Sequence, residues 1–153
     1  MARASGAAWS EPDSDATLMA AIRTEVQARI AELEAKARNV ADGGRTGEAV
    51  YRSVCTHCHE AGVAGAPRFG NRKDWKPLID EGQHVITAHG WVGLRAMPPR
   101  GGHPELSLEE FARAVSFMAG AAGADWIDPT GDSALMARIR EEEAERRTEL
   151  AED

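Results

Sequence analysis

Five consecutive residues, Cys55-Thr56-His57-Cys58-His59, hold the densest chemistry in this 153-residue chain. Two thiols two residues apart, followed at once by an imidazole, form the C-x-x-C-H pattern that attaches a haem covalently. On one turn of helix both sulfurs reach the same porphyrin edge and add across its two vinyl groups. The histidine then lies under the iron as its proximal ligand. A thioredoxin-like redox pair would need a βαβ setting, and no strand-rich pattern is present. A zinc site would need four converging ligands. The chain has only two cysteines, and His57 and His59 stand too close to them to close a tetrahedron without strain. One covalently attached haem c is the expected cofactor.

The elements around this motif read as helices and glycine-rich turns. Residues 1–14 read as a polar leader. From Asp15 to about Val40, Leu18, Ile22, Val26, Ile30, Leu33, Ala37 and Val40 recur every three or four residues, the stripe of an amphipathic helix stopped by Ala41-Asp42-Gly43-Gly44. Thr46 is placed to cap a short helix that carries Tyr51 and ends in the attachment motif. Residues 61–70 hold four glycines or prolines and read as a loop. Asp74 is expected to cap a helix stopped by Gly82, with a second running from Gln83 to His89 and closed by Gly90. Ser107 and Glu110 form a capping box that opens a helix with Phe111, Ala114, Val115 and Met118 on one face. Ser133 to about Leu150 predicts a last helix, acidic and arginine-rich, with few large apolar residues. The expected organisation is residues 1–42 as leader and helix, 43–128 as the haem domain, and 129–153 as an acidic helix.

Composition narrows the partners. The net charge is −7, distributed as −2 over residues 1–42, −1 over 43–128 and −4 over 129–153. An acidic tail argues against nucleic acid. No run is long enough to span a membrane, and the N-terminus lacks a signal peptide's apolar core. A domain of this size has little apolar surface to bury, and a covalent porphyrin would supply the missing core.

Taken together, the middle of the chain resembles a class I cytochrome c, most closely the small cytochrome c5 group. The similarity rests on Val50-Tyr51, Cys55 to His59, Gly62-Val63-Ala64-Gly65-Ala66-Pro67, Trp75, Gly82, Met97-Pro98-Pro99-Arg100-Gly101-Gly102 and Ala114-Val115, covering about residues 44–120. It implies an all-α, class I cytochrome c fold around one haem, to which this chain adds N- and C-terminal helices. It also implies Met97 as the second axial ligand of the iron, opposite His59, with Pro67, Arg68 and Trp75 beside the haem. The residues themselves favour Met97 because it stands in a proline-glycine loop, whereas Met19, Met118 and Met136 sit in helical stripes. His89, His84 and His103 remain the alternatives. Relatives carry an arginine about two residues beyond Trp75 that can meet a haem propionate. Leu78 stands near that place here, leaving Trp75, Arg68 or Lys76 as the nearest donors. In relatives this attachment is completed outside the bacterial cytoplasm, which predicts a periplasmic protein whose targeting segment is absent from this chain.

With His59 and Met97 both on the iron no site is open for substrate, and thioether ligation raises the reduction potential. The expected role is one-electron shuttling between a donor and an acceptor protein, not enzyme catalysis. Two rivals are a fixed electron-transfer subunit of an oxidoreductase, which would co-purify with a large partner, and a gas sensor, which would bind carbon monoxide when reduced. Arg68, Arg72, Lys73, Lys76, Arg95 and Arg100 fall where a basic docking rim would border the haem. The terminal helices are expected to leave the domain as an arm that docks a partner or self-associates, with the alternative that each lies against the haem domain.

Overall fold

The computed structural model describes residues 16–41 and 44–152, without the side chains of residue 32 and residues 34–41. The expected leader, and Asp42 and Gly43 of the expected helix stop, lie outside the described residues. The chain divides into two compact units, residues 1–38 and 39–153. The architecture is all-α; among the described residues the only β pairing is one isolated bridge between Leu94 and Met97.

The first helix, α1, spans Ala16–Ala41. Of its apolar stripe, Leu18, Ile22, Val26, Ile30 and Leu33 are each about half exposed.

In the second unit the Thr46 hydroxyl accepts the Ala49 N–H at 3.2 Å, capping α2 (Gly47–Val50) as expected. The helix then widens through one π turn, Tyr51–Cys55, where the Thr56 N–H reaches back five residues to the Tyr51 carbonyl. It tightens again in α3 (Thr56–His59). Such single π turns insert one residue into a helix and re-aim the side chains beyond it. Here the π turn ends on Cys55, the first residue of the attachment motif, and Val50, Tyr51, Val54 and His59 all end up buried.

The helix α4 spans Arg72–Glu81 and is capped by Asn71, whose Oδ1 accepts the N–H groups of Lys73 and Asp74 at 3.0 and 3.2 Å. Asp74 was the expected cap. Its carboxylate is instead taken by the Arg68 guanidinium at 2.8 Å. Helix α5 spans Gln83–Val92, running past Gly90 to stop at Gly93. A glycine inside a helix costs about 1 kcal/mol, but continuing the helix buries Trp91 and Val92, which outweighs that cost.

Helix α6 (Leu108–Ala121) opens on the expected capping box, with both of its hydrogen bonds present. It buries Leu108, Phe111, Ala114, Val115 and Met118. Helices α2 and α6 meet where a side chain on Gly47 would overlap the Arg113 carbonyl, so only glycine lets them approach this closely. The Glu110 carboxylate also accepts the Arg45 backbone N–H and guanidinium, each at 3.0 Å. That pairing pulls the Glu110 carboxyl down to about 2.

The last helix, α7 (Ser133–Glu152), corrects the expectation that it leaves the haem domain. It packs along α5, bringing Met136 and the fully buried Ile139 into the core. The same face continues with charged groups that find partners. Glu142 meets His89 at 3.0 Å, Glu143 accepts the Trp91 indole N–H at 3.0 Å, and Arg140 pairs with Glu109 on α6 at 2.9 Å. Acidity did not prevent docking because the facing surface offers donors.

Candidate haem site

Cys55 is half-buried and Cys58 exposed, on the turn leading to His59. His59 is only 7% exposed. Its Nδ1 lies 2.9 Å from the Pro67 carbonyl oxygen, which fixes Nδ1 as the protonated donor. The lone pair is then on Nε2, the tautomer and ring orientation that a metal-ligating histidine needs.

The loop that supplies Pro67 is closed by short-range bonds. The Phe69 N–H donates to the His59 carbonyl at 2.7 Å. The Trp75 indole N–H donates to the Arg68 carbonyl at 3.0 Å. Trp75 is 2% exposed and its ring centroid lies 6.4 Å from that of His59. Tyr51, Phe69 and Phe117 form an aromatic triad, with Tyr51 stacked on Phe69 at 4.4 Å, which pins the far end of the loop to α6.

Met97 sits half-buried in a tight turn after α5, doubly bonded to Leu94 through N–H to carbonyl contacts of 2.9 and 3.1 Å. The turn begins at Gly93, with φ 106° and ψ 138°, a conformation that essentially only glycine adopts. The Met97 methyl group and the Phe111 ring both approach Gly90. Cys55, Leu78 and Met97 all pack on the rim of the same apolar core. Two thiols, an oriented imidazole, a thioether and an apolar rim are a donor set that fits a covalently bound haem.

The other histidines are occupied. His57 Nδ1 is 3.2 Å from the Val54 carbonyl, His84 lies 3.1 Å from the Arg138 guanidinium, and His103 pairs with Glu105 at 2.7 Å. His89 points to Glu142 on α7. The candidate propionate donors are also engaged within the protein. Trp75 bonds Arg68, Arg68 bonds Asp74, and Lys76 bonds Asp80 at 2.8 Å. Of the six expected rim cations, Arg72, Lys73 and Arg95 are exposed with no ion pair among the described residues, while Arg100 lies 4.2 Å over the Trp91 ring. The sequence reading missed Trp91, Glu142 and Glu143. The signal available was the spacing of Met136, Ile139, Glu142, Glu143 and Arg146, one helical face that turns from apolar to charged without a break.

Residues 42–118 match the family described as cytochrome c oxidase, cbb3-type, subunit III. Cytochrome c-555 of Chlorobaculum thiosulfatiphilum is 37% identical over 48% of this chain and 91% of its own length. Cytochrome c5 of Ectopseudomonas mendocina is 35% identical over 55% of this chain and 99% of its own. A chain from a crystal structure of the electron transfer complex of nitrite reductase with cytochrome c is 41% identical. It covers 50% of this chain and 93% of itself, with a TM-score of 0.48. The matched segment contains every attachment residue, and its extent places the chain among the class I cytochromes c, electron-transport proteins that carry one covalent haem c.

Proposed function

We propose that the protein is a one-electron carrier whose iron is held by His59 and Met97 and which shuttles between larger redox complexes outside the bacterial cytoplasm. Haem iron with a nitrogen and a thioether axial ligand supplies reversible one-electron chemistry at a raised potential and leaves no position for substrate. The observation that carries the reading is the Pro67 carbonyl at 2.9 Å from His59 Nδ1, which leaves Nε2 free to ligate. The half-buried Met97 turn, and the partners already taken by His84, His89 and His103, support Met97 over those alternatives. Cys55 and Cys58 hold the ring covalently, while Trp75 and the aromatic triad keep the Pro67 loop, and so the imidazole, from rotating. Arg72, Lys73 and Arg95 would steer an acidic partner to the exposed edge.

Absorption spectra in both oxidation states test this. The wild-type spectrum should be low-spin in both states with a thioether signature when oxidised. Met97→Ala should open the sixth position and lower the potential by on the order of a few tenths of a volt. An unchanged oxidised spectrum in Met97→Ala would reject the thioether.

The exposed stripe of α1 favours a second reading, in which the chain is a fixed electron-transfer subunit. Five large apolar residues each about half in water are a surface that a stable partner would cover. Recovery of the native protein as a free monomer would reject that reading.

A further inference from the structure

Helix α7 lies beyond the segment matched by the family, which ends at residue 118, yet it touches the element that leads into Met97. Glu143 Oε1 accepts the Trp91 indole N–H at 3.0 Å and the Arg147 Nε–H at 3.0 Å. Trp91 packs edge-on against Phe111, with centroids 5.6 Å apart. Its face carries the Arg100 guanidinium, 4.2 Å from the ring centroid. Arg100 stands three residues beyond Met97 in a left-handed conformation, φ 56°, that side chains disfavour. Its Nη1 donates to the Pro104 carbonyl at 2.9 Å, tying both ends of the turn beyond Met97.

We propose that α7 braces the loop carrying Met97, with Glu143 as a positioning residue acting through Trp91 on Arg100. The carboxylate fixes the plane of the indole, the indole face holds the guanidinium, and the guanidinium closes residues 100–104. A loop held in this way restricts the Met97 thioether from swinging aside. The proposal rests on Met97 being the second axial ligand.

The test uses the full-length holoprotein and follows displacement of the sixth ligand of the oxidised iron by imidazole. Glu143→Ala should accelerate displacement about five- to tenfold, the worth of one hydrogen bond. Glu143→Gln keeps an acceptor oxygen and should return the rate close to wild type. Trp91→Phe keeps the ring but not its N–H and should match Glu143→Ala. The double variant should be no faster than either single one, because both cut the same link. Arg140→Ala cuts the tie between α7 and Glu109 without touching Trp91, and should leave the rate unchanged. Equal acceleration by Arg140→Ala, or failure of Glu143→Gln to rescue, would reduce Glu143 to a stability role and overturn the brace. A wild-type spectrum without thioether character would refute Met97 itself. A thioether spectrum with an unchanged rate in Glu143→Ala would refute the brace alone.

Discussion

On the His59 side of the site the hydrogen bonds are local, and one aromatic cluster ties the loop to Phe117 on α6. Pro67 is eight residues from His59, Trp75 is seven from Arg68, and Asp74 is six from Arg68. On the Met97 side the holding contacts cross the molecule. Trp91 reaches Glu143 across 52 residues, and His89 reaches Glu142 across 53. Closing a short loop costs little chain entropy, whereas the long contacts form only after α7 has docked. The two faces should therefore fail differently. The His59 side should persist while α6 holds Phe117 in place, and the Met97 side should loosen with whatever loosens α7.

The largest expected effect comes from Ile139→Ala, which empties a fully buried position on α7. It should cost about 3 kcal/mol in denaturant unfolding and speed ligand displacement on the Met97 side. A loss no greater than that of an exposed residue would mean α7 is not part of the fold, and the contrast between the faces would break.

Glu110 gives the next effect, one that should strike both faces alike because it ties residue 45 to the start of α6. Its carboxyl is lowered from 4.5 to about 2, chiefly by the Arg45 hydrogen bond. The contribution is therefore complete above pH ~4.5 and is lost as pH falls toward 2. A fall from 4.5 to about 2 corresponds to roughly 3.4 kcal/mol. The amide keeps an acceptor oxygen and the Arg45 side is partly solvent-screened, so Glu110→Gln should remove about 2 kcal/mol at neutral pH and flatten the acid limb of the stability curve over that window. A steeper acid limb in the variant would contradict the assignment.

Gly93→Ala tests the Met97 side alone. The new methyl group would stand 3.1 Å from the Pro99 ring, in a backbone conformation that side chains avoid. A cost of about 2 kcal/mol is expected, with a shift in potential. The same cost with an unaltered potential would detach the turn from the iron.

Asp74→Asn should do least. The Arg68–Asp74 pair is exposed on the loop of the His59 side, where such pairs contribute little. The unfolding midpoint should stay within measurement error, and a clear drop would show that the His59 loop is less self-sufficient than its short contacts imply.

Much of this was legible in the sequence because the deciding interactions are short. The C-x-x-C-H spacing, the Thr46 cap, the Ser107–Glu110 box and the glycine stop at Gly82 each depend on neighbours within a few residues. Asn71 displaced Asp74 as a cap because Arg68, six residues away, claimed the carboxylate. The end of α5 was misplaced because Gly90 signals a stop locally, while the burial of Trp91 against Phe111 comes from α6.

By itself the sequence determined the helices, the covalent attachment residues and the histidine directly after them, since each is written in a period or spacing that the chain carries anywhere. Only the tertiary structure decided where α7 goes. Its composition reads as solvated, with Glu142, Glu143 and Arg146 on the face that continues from Ile139. That face docks because α5 presents His89 and Trp91 opposite two carboxylates, 53 and 52 residues away. A buried polar contact is favourable only when both partners arrive together, and no local pattern records the second partner.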